Sequence, residues 1–469
     1  MAFFKSLFQT KPLEDHSNAS LGLKRCLSAT DLTLLGIGAI IGAGVFVLTG
    51  IASAQAGPAI IFSFLLAGVI CGFNALAYAE LASTVGGCGS AYGYAYATLG
   101  EMIAWMIGWD LLLAYGMDAV TVAIGWSAYV KEALHAMGIN LPDQLCHDPF
   151  HGGVINLPAI VVILFLAKVL TLGVKEGASF NKIIVFIKLA VIAFFIAMGS
   201  FYFDSANWHP FLPFGMHGVV SGAGLIFFAF IGFDTISTAA EETINPKRNL
   251  PIGIIASLSI CTLAYVLVAG VLTGISHYSK LNVDAPVSAA MLRLGSHVGS
   301  EIIAFGAIAG LTTAILAMYY GVTRIFLAMS RDGLLPKGFV KVHEKSQTPN
   351  RLIWTMGGIF SLAAGLLPIS EVAEIVNFGV LAAFCVVSAC VIVLRYTKPN
   401  VPRPFKTPLS PLIPILGIVS CLYLITSLSQ IALWSVTAWT ILGLVIYFGY
   451  SRRTSTAANT ITAVSEAAS

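Results

Sequence analysis

The chain has 469 residues, of which 57% are hydrophobic and 10% are charged, and its mean hydropathy is +0.88. Soluble globular domains are about 25% charged, so this composition excludes a mostly water-exposed protein and predicts a polytopic membrane protein. The net charge of +3 is too small to indicate a nucleic-acid-binding protein.

Apolar stretches of about 20 residues, separated by polar residues or by proline and glycine, predict twelve transmembrane helices. We call them spans 1 to 12 in chain order. Spans 1 and 3 are long enough to require a tilt or a break. The twelve spans lie near residues 31–55, 58–83, 98–130, 155–173, 180–201, 218–240, 250–275, 299–329, 352–368, 372–394, 412–433 and 435–450.

The distribution of basic residues predicts the orientation of these spans. With a cytoplasmic N-terminus, 19 of the 25 lysines and arginines fall in the termini or in loops on that side, three fall outside and three fall within spans. Positive residues accumulate in cytoplasmic loops. We therefore expect residues 1–30 to form a cytoplasmic N-terminal segment and residues 451–469 a disordered cytoplasmic tail.

The polar residues exclude several classes of membrane protein. All nine histidines fall in loops, termini or span edges, so we expect no metal site, no haem and no cofactor. The sequence has no phosphate-binding loop of an ATP-driven pump and no continuous ring of polar side chains of a channel. We expect no enzymatic activity.

Span 1 contains the glycine-rich stretch GIGAIIGAGVFVLTG from Gly36 to Gly50. Glycine weakens a helix, and Gly42–Gly44 lie roughly 16 Å into the span, near the middle of the hydrocarbon core. Irregular backbone is tolerated at this depth where it is buried in protein or lines a cavity. We therefore predict a broken helix, although small residues at this spacing also serve helix packing.

Span 6 shows the same pattern and enters from the opposite side of the membrane. Its sequence opens on glycines after Ser221, places Phe228–Ile231 near the midplane and is interrupted at Gly232, which Asp234 soon follows. A second interruption in a second apolar segment favours a functional reason for both breaks.

Two broken helices five spans apart predict an inverted five-helix repeat, here residues 31–201 and 218–394. A substrate site formed by the two breaks is the expected consequence. Helix N-termini bind anions and freed carbonyl groups bind cations, and an amino acid zwitterion carries one charge of each sign.

Four motifs cover nearly the whole chain: GIGAIIGAGVFVLTG (36–50), YAELASTVGGCGSAYGYAYATLGE (78–101), FFAFIGFDTISTAAEETINPKRNLPIGI (227–254) and TRIFLAMSRDGLLP (323–336). Together they resemble the amino acid/polyamine/organocation superfamily of transporters, and most of all a bacterial member of its cationic amino acid transporter branch. The resemblance implies an all-α fold of two inverted five-helix repeats with broken helices 1 and 6, two peripheral helices in residues 412–450, and transport by alternating access.

The resemblance also implies which backbone groups bind the substrate. N–H groups of the first break, at Gly42, Ala43 and Gly44 beside Ile41, would bind the carboxylate. The α-ammonium would be bound by the carbonyl groups of Ile40, Phe228, Ala229 and Ile231. Phe230 and Phe233 are candidates for an aromatic gate, although phenylalanine in a span more often serves packing or faces lipid.

Ionisable residues deep in a span are costly and therefore informative. Asp234 could face the substrate side chain or cap the broken helix. On span 3, Asp110, Ala114 and Asp118 share one helix face. Related cationic transporters carry a glutamate near position 114. Either Asp118 takes the role of that glutamate, or the preference for cationic substrates is altered, or Asp118 forms an ordinary interhelical hydrogen bond.

Lys188 in span 5 is the candidate for energy coupling. Lys188 lies less than two turns into the core, so its side chain could extend back, or snorkel, to the cytoplasmic interface. Against this, apolar residues follow it in the sequence, and Lys182 already lies at that interface. The resemblance implies that its ammonium takes the place of a coupling ion, facing carbonyl groups around Gly38 and Ala39 and the hydroxyl groups of Thr312 or Thr313. Burial disfavours the charged form, so proton exchange would become feasible.

Charged residues at the cytoplasmic ends of the spans are by default interpreted as solvated helix caps. The resemblance instead favours a role for them in an inner gate. These residues are Glu80, Glu241, Glu242 and Arg331. Lys168 and Arg324 lie near the inner ends, where we expect their side chains to snorkel.

We therefore expect a proton-coupled secondary active transporter that moves amino acids, cationic ones such as arginine, lysine or ornithine, across the bacterial inner membrane. Its partners would be the amino acid, protons and the lipid bilayer. An exchanger and a neutral amino acid permease remain alternatives, as does a nutrient sensor built on the transporter fold.

Overall fold

The computed structural model describes residues 8–11, 25, 27–85, 90–172, 174–283, 285–339, 343, 348–426 and 428–455. Helices dominate this part of the chain, and an isolated parallel β-bridge joins Leu27 to Thr243. Residues 456–469 of the predicted tail lie outside the described residues.

The helices reproduce the predicted apolar stretches. We number the helices that the structure describes in chain order: α1 (Ala29–Ile40), α2 (Thr49–Ala56), α3 (Ile60–Thr84), α4 (Ala91–Thr98), α5 (Glu101–Ala136), α6 (Leu157–Leu170), α7 (Val174–Phe201), α8 (Gly215–Ile226), α9 (Pro246–Ile275), α10 (Pro286–Arg293), α11 (His297–Arg331), α12 (Asn350–Leu366), α13 (Ile369–Thr397), α14 (Leu412–Ile425) and α15 (Gln430–Ile446).

Among the described residues, eight helical stretches are long and apolar enough to cross a membrane, and α1, α6 and α14 are shorter apolar helices. These lengths and compositions are those of a multi-pass membrane protein. The twelve-span topology, the division into repeats at 31–201 and 218–394, the peripheral helices at 412–450 and the cytoplasmic termini stay predictions.

Span 3, which is long enough to require a tilt or a break, is one continuous helix of 36 residues, α5, and has no break. The start of span 5 differs from the prediction. Helix α7 begins at Val174 rather than near 180. Apolar residues mark the part of a helix that prefers lipid, whereas the backbone hydrogen bonds continue into the polar residues beyond it.

The predicted interruption of span 1 is confirmed. Helix α1 begins with a capping box in which the backbone N–H of Ser28 donates to Asp31 and that of Asp31 donates to Ser28. It ends at Ile40 because Ile41 is extended, with ψ of 94°. A π-helical turn at Gly44–Leu48 then leads into α2. We call residues 40–44 the first break.

The interruption of span 6 is also confirmed. Helix α8 continues as a 3-10 segment at Phe227–Phe230, and Ile231 is extended with ψ of 137°. Gly232 has φ of 122°, a conformation that favours glycine. A second 3-10 segment, Asp234–Glu242, follows. We call residues 228–233 the second break.

Long helices enclose both breaks. Helix α5 packs against α11 and α13, while α1 packs against α7, α9 and α11. The irregular backbone is thereby surrounded by protein, which is the setting in which such backbone is tolerated at membrane depth.

Candidate functional site

The two breaks contact each other directly, and glycine makes this possible. A Cβ atom at Gly44 would lie 2.3 Å from Cα of Ala229, and one at Gly232 would lie 2.9 Å from the carbonyl carbon of Ala39. Both distances are too short for any side chain. The structure therefore brings together the two segments that the sequence predicts to form the substrate site.

The predicted substrate-binding residues are all buried in this structure. Around Gly42 the nearest side chains are Ala314, 3.2 Å from a hypothetical Cβ atom, and Val122, 3.7 Å away. The side chains that lie closest to Gly42 are therefore apolar. The buried residues of the predicted site are Ile40, Ile41, Gly42, Ala43, Gly44, Phe228, Ala229, Ile231, Asp118 and Asp234.

Lys188 is fully buried, so the snorkelling alternative is wrong. Its Nζ donates hydrogen bonds to the carbonyl oxygens of Gly38 at 2.9 Å and Ile41 at 2.9 Å, and to that of Gly310 in α11 at 3.2 Å. One ammonium thus joins the first break to two neighbouring helices. The expected contact with Gly38 is present, and Ile41 takes the place expected for Ala39.

Neither predicted threonine hydroxyl forms a hydrogen bond with the Lys188 ammonium among the described residues, and a coupling role for either stays a prediction. Thr313 donates to the carbonyl of Gly310 at 2.9 Å. Thr312 donates to the carbonyl of Ile308 at 2.7 Å and accepts from the indole of Trp126 at 2.9 Å. The carbonyl of Gly310 is the acceptor in α11 for the Lys188 ammonium, and it accepts from Thr313 as well.

Asp234 holds the second break in shape. Its carboxylate accepts a hydrogen bond from the backbone N–H of Gly232 at 3.2 Å and another from the hydroxyl of Tyr115 in α5. The side chain is 1% exposed. These contacts support the backbone of the second break, and a contact of Asp234 with the substrate side chain stays a prediction.

Asp118 is buried one turn beyond Ala114 in α5, and it lies close enough to Asp234 for the two carboxylate charges to repel each other. No hydrogen bond or ion pair to its carboxylate forms among the described residues. Ala114 packs closely against Gly379 of α13, where a Cβ atom at Gly379 would lie 2.9 Å from that of Ala114. Position 114 thus lies in the packing contact between α5 and α13.

The two gate candidates, Phe230 and Phe233, both lie in aromatic clusters. The ring of Phe230 packs 6.2 Å from Phe64 and 5.4 Å from Tyr265, measured between centroids. Phe233 packs 5.8 Å from Tyr78 and 5.0 Å from Phe384. These contacts are packing contacts, and a gating role stays a prediction.

Tyr265 in α9 is a site residue that sequence reasoning missed. Its hydroxyl lies 2.7 Å from the carbonyl oxygen of Ile40 and 2.9 Å from that of Ala229. It therefore contacts both breaks at once. The sequence signal that could have identified Tyr265 is a tyrosine inside a mostly apolar stretch, SICTLAYVLVAGV. A buried phenol needs a hydrogen-bond partner.

At the end of span 6 that is predicted to be cytoplasmic, Glu242 forms an ion pair with Arg324 at 3.2 Å and accepts a hydrogen bond from Tyr320 at 2.9 Å. The Arg324 guanidinium also lies 4.7 Å from the centroid of the Tyr320 ring. Arg324 is therefore paired rather than snorkelling. Lys168 is exposed, and Arg331 is half-buried at the end of α11.

Glu80 is a buried ion-pair partner, so its interpretation as a solvated cap is wrong. Arg395 donates to both of its oxygens, at 3.0 and 2.6 Å, and the backbone N–H of Thr407 donates at 2.7 Å. Glu80 thus ties α3 to α13 and to the loop that follows it. The side chain of Glu241 lies outside the described residues.

Two broken, mutually contacting helices with irregular backbone, enclosed by long apolar helices, define a membrane transporter of the broken-helix class. Residues 27–462 match the family described as Amino acid permease. The chain belongs to this family, within the amino acid/polyamine/organocation superfamily, and is a transporter rather than an enzyme.

Individual relatives carry different names. The chain is 46% identical over 453 residues to a methylthioribose transporter of Bacillus subtilis (strain 168), covering 96% of this chain and 98% of the relative. It is 47% identical over 458 residues to the branched-chain amino acid permease BcaP of the same organism, with the same coverage. A vacuolar cationic amino acid transporter 4 of Arabidopsis thaliana is 37% identical over 387 residues, covering 81% of this chain and 64% of that relative.

Proposed function

We propose that the protein is a proton-coupled symporter of neutral amino acids with aliphatic side chains, located in the bacterial inner membrane. The observation that carries the coupling proposal is the ammonium of Lys188 bound by three carbonyl groups from two helices. An ammonium in this position supplies a positive charge without a metal ion. Protonation of Lys188 would therefore form the hydrogen bonds that hold the first break in place, and deprotonation would weaken them.

The substrate would be bound by backbone groups of both breaks. The N–H groups of Gly42, Ala43 and Gly44 begin the second half of span 1, and the first N–H groups of a helix lack partners within it. They would bind the carboxylate. The α-ammonium would contact the carbonyl groups of Ile40 and Ala229, which approach each other where the breaks meet.

The preference for a neutral side chain rests on the surroundings of the first break. Val122 and Ala314 are the side chains closest to Gly42, and the carboxylate of Asp234 already accepts two hydrogen bonds. A cationic side chain would meet apolar walls there and lose its hydration without compensation. Relatives named branched-chain amino acid permeases agree with this assignment.

A cationic substrate is the second candidate, and Asp118 favours it. A buried carboxylate without a hydrogen bond among the described residues could pair with a substrate ammonium or guanidinium group. Relatives named cationic amino acid transporters support this alternative. The two candidates differ in a measurable way, because the side chain of leucine is neutral and that of lysine carries a positive charge.

Alternating access would use the ion pair between Glu242 and Arg324 as part of the inner gate. The pair joins the end of span 6 to α11 and lies at the predicted cytoplasmic surface. Opening toward the cytoplasm would separate these two elements. The twelve-span arrangement of inverted repeats with both termini cytoplasmic completes the proposal.

Uptake into proteoliposomes tests the proposal. With an acidic exterior, radiolabelled L-leucine is expected to accumulate without sodium, and unlabelled leucine is expected to compete better than L-lysine or methylthioribose. Lys188→Ala should retain leucine binding but lose accumulation driven by the pH gradient. Lys168→Ala, which removes an exposed lysine, is the matched control and should behave as wild type.

Three results would contradict parts of this assignment. A strict sodium requirement, or unchanged pH dependence in Lys188→Ala, would remove the coupling role. Stronger competition by lysine than by leucine would establish the cationic alternative. Counterflow without net accumulation would identify an exchanger.

A further inference from the structure

Tyr265 forms a bridge between the two breaks. Its side chain is fully buried, and its ring packs 5.4 Å from Phe64 and 5.4 Å from Phe230 between centroids. These contacts fix the ring in the space between α3, α9 and the second break. The position of the hydroxyl is therefore set by packing, independently of any substrate.

The hydroxyl engages two carbonyl groups with one proton. It lies 2.7 Å from the oxygen of Ile40 and 2.9 Å from that of Ala229. A phenol has one O–H donor, and each carbonyl oxygen has two lone pairs. Both carbonyl oxygens therefore keep capacity to accept further hydrogen bonds while they are held beside the same oxygen atom.

The two carbonyl groups come from separate elements. Ile40 is the last residue of α1, at the start of the first break, and Ala229 lies in the 3-10 segment with which the second break begins. Without the hydroxyl, two carbonyl dipoles would face each other across the junction with no donor between them, and they would be expected to turn apart.

We infer that Tyr265 is a positioning residue for recognition of the substrate α-ammonium group. It acts through the carbonyl groups of Ile40 and Ala229, which it holds together so that one ammonium can contact both. The inference deepens the proposed function, on which it rests, because it assigns amine recognition to a side chain outside both broken spans. It also separates amine recognition from carboxylate recognition, which belongs to the N–H groups of the first break.

Tyr265→Phe tests this role, because it removes the hydroxyl and keeps the ring that packs against Phe64 and Phe230. The two probes are L-leucine and its α-hydroxy analogue, 2-hydroxy-4-methylpentanoate, which lacks the ammonium group. The expected result is that the preference for leucine over the hydroxy acid falls about tenfold. The reason is that the substrate ammonium loses its hydrogen bond to one of the two carbonyl groups once they turn apart. Binding of the hydroxy acid and the maximal uptake rate should change little.

Tyr129→Phe is the matched control. Tyr129 is also fully buried, and its hydroxyl donates to the single carbonyl of Phe46 at 2.6 Å, beyond the first break. This variant should keep the wild-type preference for leucine. Placing 4-aminophenylalanine at position 265, which restores an N–H donor on the same ring, should recover most of the lost preference.

Several outcomes would overturn the inference. Equal losses for leucine and the hydroxy acid would show a purely structural role for Tyr265, as would an unchanged preference or no recovery with 4-aminophenylalanine. An equal effect of Tyr129→Phe would show that any buried hydroxyl matters. Failure of the wild type to bind leucine would overturn the proposed substrate class itself, which is a different result from failure of the variant alone.

Discussion

The two breaks are held in place by opposite charges. At the first break, carbonyl groups accept hydrogen bonds from the Lys188 ammonium, which belongs to another helix. At the second break, a carboxylate within the same segment, Asp234, accepts from the Gly232 N–H and from Tyr115. The first break therefore depends on a group that can leave with its helix, whereas the second carries its own support.

This difference assigns different tasks to the two breaks. A change in the charge of Lys188 would alter the contacts of the first break with α7 and α11 and leave those of Asp234 intact. We expect the first break to move during transport while the second keeps its shape. The following predictions test this contrast, beginning with the largest expected effect.

Gly44→Ala is expected to reduce leucine uptake about 100-fold, because its Cβ would lie 2.3 Å from the backbone of Ala229 and would force the breaks apart at a cost of about 3 kcal/mol. The control is Gly72→Ala in α3, where a Cβ would meet no atom within 4 Å. Uptake per folded protein measures both. Normal transport by Gly44→Ala would mean that the breaks need not touch.

Asp234→Asn should weaken leucine binding about tenfold, because a charge-assisted hydrogen bond becomes a neutral one. The loss should be the same for neutral and cationic substrates. The dependence of uptake on external pH, measured across a series of pH values, should remain that of the wild type. This result would separate the second break from the first, whose contacts depend on the charge of Lys188. A shifted pH profile would show that the two breaks are coupled to one proton.

Glu242→Gln should change the rate of leucine exchange about threefold, because a partly buried ion pair at the inner end of span 6 is lost. Glu80→Gln is the comparison: it should lower the thermal unfolding temperature more than Glu242→Gln does. The reason is that Glu80 accepts three hydrogen bonds from a fixed scaffold. A larger effect of Glu80 on exchange would reverse the assignment of the gate.

Asp118→Asn should change leucine uptake less than about twofold, because no described group donates to this carboxylate. If lysine is transported at all, its uptake should fall more than that of leucine, since a cation loses its counter-charge. Competition assays with the two amino acids measure this ratio. Equal, large losses for both would give Asp118 a structural role.

Local sequence signals predicted the breaks, while contacts between distant helices escaped them. Glycine-rich backbone at midplane depth identified Gly42–Gly44 and Gly232, because glycine is a local property of the chain. A charge in an apolar span identified Lys188, although not its partner Gly310, 122 positions away. That partner depends on how α7 and α11 rotate against each other.

The pairing of Glu80 with Arg395 shows the same limit. The two residues are 315 positions apart and meet because α3 and α13 pack side by side. Sequence position at the end of a span suggested solvent exposure, which is the usual state of such an acid. Tyr265 escaped detection for a related reason, since its importance lies in the simultaneous approach of two separate backbone segments.

The ammonium of Lys188 has a consequence for the electrical behaviour of the membrane. If this one group carries the coupling proton, each cycle moves a zwitterion of zero net charge together with one positive charge. A membrane potential of 100 mV, negative inside, would then add about 2.3 kcal/mol to the driving force, or about 50-fold in accumulation. A lysine substrate would carry a second charge through the same field, so the slope of uptake against voltage would report the net charge of the transported amino acid.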